Sequence, residues 1–300
     1  MTSRRDFLLT GALALGGMAL GGSVQAREPV VRKAKPAIKV GCCSYSYRKY
    51  ISGKDATMTL ETFMDTAADM GCAGVEIADY YFPPDWNQDY ICKLRRYALL
   101  SGLEINSFVI RCNLALPPGA QRGTELAKVE EGIEHAADIG APSLRLLAGT
   151  SKGEPSDDIL QNVADCLDEC AGPASKRGIV LSVENHGNLP GTGDQAVSIM
   201  KRVKSDWVGM NLDTGNYHTQ DPYADIAKTA PYATTVHYKC EIAEAGKPKH
   251  PADLKRVIGI LKNAGYRGYM NLEYEAAGEP KTEIPKLIQS MLEAVAQEVS

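Results

Sequence analysis

Three hundred residues, 44% of them hydrophobic and 23% charged, form an ordinary globular chain, long enough for one large domain or two small ones. A formal net charge of -4 leaves no basic footprint for nucleic acid and no strong acidic bias.

The first 26 residues stand apart from the rest. MTSRRDFLLTGALALGGMALGGSVQA opens with Arg4 and Arg5, runs through Ala, Leu and Gly, and closes on Val24-Gln25-Ala26, the small-residue spacing of a signal-peptidase site. The arginine pair within SRRDFLL resembles a twin-arginine export signal, which implies a periplasmic or other extracytoplasmic location. The span is short and glycine-laden for a membrane helix, so no stable membrane insertion is expected after processing. Residues 27–37 (REPVVRKAKPA) read as a flexible linker. The eight cysteines lie mostly in apolar runs and include no Cys-x-x-Cys pair, so they read as buried free thiols rather than disulfides or a zinc knuckle.

From residue 38 one rhythm repeats: a short apolar run, a polar turn, then a helical pattern. IKVGCCSYSY is strand one, and LETFMDTAADMG is a helix ending on glycine. CAGVEIADYY, LEINSFVIRC and PSLRLLAG are strands two to four. QDYICKLRRYALLSG, TELAKVEEGIEHAADIG and DDILQNVADCLDECAGPASKRG are the helices that follow them. IVLSVENHG, VGMNLDTGN, TTVHYKCEI and YMNLEYEA complete the strands, each again followed by a helical stretch. Alternating strands and helices at this spacing imply a parallel sheet. Eight such units over residues 38–300 predict a closed (β/α)8 TIM barrel in a single domain. An open doubly wound sheet calls for a glycine-rich phosphate loop after an early strand, and none is present.

In such a barrel, catalytic groups sit at the C-terminal ends of the strands. Those ends carry Glu76, Arg111, Arg145, Glu184 with His186, Asp213, His237 with Lys239, and Glu273. Residues two apart on a strand share a face. Glu184, Asp213, His237 and Glu273 therefore converge at one mouth. Three carboxylates packed together raise one another's pKa unless a cation joins them. Oxygen donors with one imidazole suit one divalent ion: Mn²⁺, Co²⁺, Mg²⁺ or Zn²⁺. Glu76, Arg111, Arg145, His186, His218 and Lys239 are candidates for binding substrate around it. Tyr45, Tyr47, Tyr80, Tyr81 and Trp86 follow strands one and two, where they serve either sugar stacking or loop packing.

VEI at 75–77, SVENHG at 182–187, NLDTGN at 211–216, VHYK at 236–239 and NLEYE at 271–275, in that order, resemble the xylose isomerase-like barrels, which include sugar-phosphate isomerases and epimerases. The resemblance covers nearly everything after the linker. It implies that Glu184, Asp213, His237 and Glu273 ligate the metal. In the ketose 3-epimerases of that family, the two glutamates also move protons on opposite faces of the sugar, a role that would fall to Glu184 and Glu273. One position departs from the pattern. Asn216 stands where epimerases and the related DNA-repair endonucleases usually carry a histidine, and His218 follows two residues later.

The expected partner is thus a small-molecule carbohydrate, not nucleic acid. Related barrels often form homo-oligomers, but no interface is legible in this sequence. The expected reaction is isomerisation or epimerisation by proton abstraction next to a carbonyl. Two alternatives keep the same site: a lyase or dehydratase acting on a keto-sugar or keto-glycoside, and a metal-dependent sugar-binding protein without turnover. Phosphodiester hydrolysis needs further histidine ligands that the sequence does not supply.

Overall fold

A computed structural model describes residues 28–54 and 56–299; the expected signal peptide lies outside the described residues. Eight parallel strands close into a barrel in sequence order: β1 (Ala37–Cys43), β2 (Gly74–Ala78), β3 (Glu104–Val109), β4 (Ser143–Leu147), β5 (Val180–Glu184), β6 (Val208–Asp213), β7 (Ala233–Tyr238) and β8 (Arg267–Leu272). A helix follows each: α1 (Leu60–Asp69), α2 (Gln88–Leu100), α3 (Ala120–Ile139), α4 (Asp157–Arg177), α5 (Gly193–Arg202), α6 (Pro222–Thr229), α7 (Leu254–Asn263) and α8 (Pro280–Val299). The fold is therefore the expected single-domain (β/α)8 barrel. Several short elements went unforeseen: 3-10 turns at Ser44–Tyr47 and Asp79–Tyr81 replace the ends expected for strands one and two, a helical turn follows at Arg48–Ile51, and Glu241–Ile242 and His250–Pro251 pair as a short antiparallel ribbon in the loop between β7 and α7.

The helices start where the sequence supplies a cap. Side chains of Thr59, Asn87, Ser156, Thr192, Asp221 and Asp253 each accept a backbone N–H from the first turn of the helix they precede. Gly140 and Gly178 stop α3 and α4 in the left-handed conformation that glycine adopts without strain. The strands are buried on both faces, as in any parallel barrel. Their outward residues, such as Leu181, Val183 and Leu212, join the apolar core under the helices.

The barrel interior is built differently. Asn106 and Asn271 exchange two amide hydrogen bonds, both 2.9 Å, across the lumen. A Cβ on Gly41 would stand 2.1 Å from Asn271 Oδ1, so only glycine leaves room for that pair. Beside it Ser143, Ser182 and Thr234 share hydroxyl bonds of 2.7 Å. These layers satisfy one another and support the charged layer above them.

Residues 28–36, expected as a flexible linker, carry no helix or strand but are tethered to the bottom of the barrel. The Val30 N–H donates to the Pro231 carbonyl at 3.0 Å. The Arg32 guanidinium bonds the Ala233 carbonyl and lies 5.2 Å from the centre of the Tyr266 ring. All eight cysteines are free, and Cys92 is the exposed one.

Replacing Asn106 by Ala strands the buried Asn271 amide. The expected cost is about 1–3 kcal/mol of unfolding free energy, read from denaturant melts; an unchanged midpoint would refute a structural role for the pair.

Candidate metal centre

Each member of the centre owes its place to the end of a strand. β5 finishes on Glu184, β6 finishes on Asp213, His237 is the penultimate residue of β7, and Glu273 follows β8 by one. Asp213 is in register with His237, and Asn271, two residues before Glu273, is in register with His237 from the other side. Parallel register and the pleat therefore point the four side chains into one space. All four are buried.

Polar neighbours fix the backbone beneath them. Asn185 accepts the Asp213 N–H and donates to the Asp213 carbonyl, both at 2.8 Å. Ser46 donates to the Leu272 carbonyl at 2.8 Å and accepts the Tyr274 N–H at 2.9 Å, clamping Glu273 from both sides. Thr235 donates to Asn211, whose amide reaches Glu184 at 3.4 Å. The Gly215 N–H binds Asp213 Oδ1 at 2.8 Å, which leaves Oδ2 turned into the centre.

Besides Arg145 Nε, which meets Glu184 in an ion pair, two buried atoms here have no hydrogen-bond partner: Asp213 Oδ2 and His237 Nδ1. His237 Nδ1 lies 3.9 Å from Asp213 Oδ2, 4.0 Å from Glu184 Oε2 and 3.4 Å from Glu273 Oε2. One donor atom from each of the four residues lies within 4.8 Å of all the others. Donors bound to one cation at about 2.1 Å sit roughly 3.0–4.2 Å apart, so these separations fit a shared ion. Buried atoms left unpaired are costly, and a cation satisfies both at once.

The other ring nitrogen of His237 is 2.9 Å from Glu76 Oε2. A ligating histidine commonly hands its second N–H to a carboxylate in this way, which fixes ring and tautomer. This corrects the expectation that Glu76 touches substrate: it is buried behind the imidazole. Arg145 is likewise drawn inward. Its guanidinium meets Glu184 in a buried ion pair. Burial opposes the charge, but Glu184, Glu273 and Glu76 more than offset it, so the guanidinium is held above its ordinary range.

Lys239, also buried, joins three carboxylates: Glu273 at 2.5 Å, Asp213 at 3.5 Å, and Glu275 in a close pair. A Cβ on Gly215 would come within 2.5 Å of the Lys239 side chain, so the glycine makes its approach possible.

The remaining predicted residues lie outside this cluster. β5 stops at Glu184, so His186 does not continue its face; it sits exposed in a turn. Arg111 lies beyond the end of β3, exposed, its guanidinium 4.3 Å from the centre of the Tyr80 ring. His218 is exposed too, but it lines a small cavity of about 30 Å³ with Lys239, Asn216 and Glu275. Asn216 itself reaches Glu184 Oε1 at 3.3 Å and the Asn185 carbonyl at 3.0 Å. Of the aromatics, Tyr47 is buried against Phe63, and Trp86 packs edge-on against Phe82 and His135.

Electrostatics sharpen the picture. Burial pushes the Asp213 carboxyl up to about 8; Lys239 pulls it down, and Glu273 and Glu184 push it further up. Glu273 is also opposed by burial, yet Lys239 and His237 hold it well below the carboxylate range. Lys239 lies nearer Glu273 than Asp213, which explains why the two carboxyls part. Burial disfavours a charged His237, but Cys43 and the carboxylates of Glu76 and Glu273 override this and raise it well above its ordinary value.

The profile of a xylose isomerase-like TIM barrel matches residues 64–294, and the chain belongs to that family. Comparison with curated protein sequences gives no match. Among solved structures, a xylose isomerase-like TIM barrel protein from Mycobacterium smegmatis in complex with magnesium superposes with a TM-score of 0.69 at 17% identity, over 87% of this chain and 98% of that one. D-psicose 3-epimerase from Clostridium cellulolyticum H10, solved with D-tagatose, gives 0.67 at 15% identity, over 87% and 99%. A 3-keto-D-glucoside 4-epimerase from E. coli gives 0.62 at 14% identity, over 87% and 98%.

Two outcomes follow. A divalent ion bound here would displace protons from Asp213 and His237, so Mn²⁺ affinity should rise with pH through about 8, where Asp213 loses its proton. Titration calorimetry in buffers of different ionisation enthalpy should then find close to two protons released per ion near neutral pH; none released would refute the assignment. Glu76→Gln should weaken ion binding by about 10–100-fold while leaving the melting temperature of the metal-free protein little changed.

Proposed function

We propose that this protein is a metal-dependent sugar isomerase or epimerase that moves a proton next to a carbonyl. The observation that carries the reading is the convergence of one donor atom each from Glu184, Asp213, His237 and Glu273, two of which, Asp213 Oδ2 and His237 Nδ1, are buried without a hydrogen bond. Glu184, Asp213, His237 and Glu273 would hold a divalent cation, which would supply polarisation of a substrate carbonyl and stabilisation of the negative charge that develops when the α-proton leaves.

The chain's own residues do the rest. Glu273 is kept ionised by Lys239 and His237, which leaves it free to accept a proton but weakens it as a base until those contacts are shared with substrate. It takes the α-proton onto a carboxyl oxygen. Glu184, held on the other side of the centre by Arg145, returns a proton from the opposite face in an epimerisation. Lys239 can turn one of its N–H bonds from Glu275 to a substrate oxygen. His218, His186 and Arg111 lie exposed beyond the strand ends, and hydroxyls of the sugar are their natural partners. The names of the similar epimerases support a carbohydrate substrate. A second reading, a lyase on a keto-sugar, uses the same proton abstraction and then expels a β-oxygen. The buried Lys239 ammonium, held charged by three carboxylates, supports it as a hydrogen-bond donor to a leaving oxygen. The twin arginines at Arg4 and Arg5 support export as the destination of the chain.

Incubation with Mn²⁺ in deuterated water, with free sugars, 3-keto sugars and glycosides, tests the reaction by NMR. Deuterium uptake next to the carbonyl, abolished by EDTA, is expected, and the product separates epimerase from lyase. Glu273→Gln should cut exchange by at least about 100-fold with the fold intact by circular dichroism. Undiminished exchange in that variant would remove the proton-transfer role.

A further inference from the structure

Cys43 is the last residue of β1 and is fully buried. Its sulfur, a nitrogen of His237 and a carboxylate oxygen of Glu273 all lie within 4.8 Å of one another. His237 and Glu273 therefore belong to two overlapping donor sets. Glu184 and Asp213 complete one, and Cys43 completes the other.

A structural buried cysteine behaves as a small hydrophobe among apolar neighbours. Cys43 instead faces an imidazole and a carboxylate. Cys42, one residue earlier, points to the other face of the strand and joins the apolar core. Cys43 interacts directly with the His237 imidazole, and His237 Nδ1, buried without a well-formed hydrogen bond, lies 3.4 Å from Glu273 Oε2, so sulfur, nitrogen and oxygen donors meet on this side of the centre.

We propose that Cys43 is a metal ligand taken up by thiophilic ions. It rests on the metal reading of this centre. Zn²⁺ or Co²⁺ draws the sulfur in beside His237 and Glu273, whereas Mg²⁺ and Mn²⁺ stay with the oxygen-rich set. As the sulfur–metal bond forms, the S–H bond breaks and its proton passes to solvent; no electron is transferred. Cys43 thereby biases which ion the protein keeps from a mixed pool.

The test is optical. The full chain is stripped with a chelator and loaded with Co²⁺ alone. Visible d–d bands together with a near-ultraviolet sulfur-to-cobalt charge-transfer band are expected, and Cys42→Ser should retain both. Cys43→Ser should still bind one Co²⁺ but lose the charge-transfer band. Its preference for Zn²⁺ over Mn²⁺ in competition titrations should fall about 10–100-fold. X-ray absorption on the Zn²⁺-loaded wild type, which needs no variant, should find a sulfur scatterer at about 2.3 Å. Cobalt bound without the band, or a band that survives Cys43→Ser, overturns the ligand role of Cys43 and leaves the metal centre standing. No Co²⁺ uptake at all overturns both.

Discussion

Charge balance inside a closed barrel is the constraint on which this structure turns. Glu76, Glu184, Asp213 and Glu273 are all buried, and Arg145 and Lys239 are the basic side chains buried beside them. The centre is thus two positive charges short, with His237 neutral. A protein interior does not tolerate such a deficit, because an isolated buried charge is very costly. Either two protons or one divalent cation must make it up. The raised values of Asp213 and His237 identify where those protons go. The same two residues carry the buried atoms without hydrogen-bond partners. Proton and ion therefore compete for one place.

That competition needs rigid walls, since a carboxylate free to swing would find water instead. The walls come from secondary hydrogen bonds rather than from the charged groups. Asn185 ties β5 to β6, Ser46 ties the end of β1 to the residues flanking Glu273, and Gly215 holds one oxygen of Asp213. Below them, the Asn106–Asn271 pair and the hydroxyl chain fill the lumen with satisfied polar groups. A barrel interior of this kind sacrifices some apolar burial for orientation, which an apolar lumen could not impose on a carboxylate.

Much of this was legible in the sequence, and the failures have one cause. Strand alternation predicts which residues share a face only while the strand lasts. Glu184, Asp213 and His237 lie within their strands and Glu273 is one residue past β8, and the structure brings all four together as the alternation implies. His186 and Arg111 lie two residues past their strands, where the chain has already turned, and the structure places them exposed, outside the cluster. Glu76 was found, but its partner was not. His237 is three strands away around the barrel, and no local pattern reports that pairing. Asn185 and Ser46 were missed because polar residues after a strand look like ordinary turn residues. Cys43 was missed because a cysteine in an apolar run reads as core.

The two glutamates that flank the centre do not share an environment. Glu184 is paired with Arg145, whose planar guanidinium holds its proton at any accessible pH. Glu273 is paired with Lys239, whose ammonium is divided among Glu273, Asp213 and Glu275. One carboxylate thus has a fixed counter-charge and the other a shared, rotatable one. When Glu273 gains a proton, Lys239 loses one attraction but keeps two others, so the ammonium stays buried and charged. The same Lys239, with His237, opposes proton gain by Glu273, whose carboxyl they hold well below its ordinary range. A centre built this way is asymmetric before any substrate enters, with its adaptable side on β7 and β8 and its stiff side on β4 and β5.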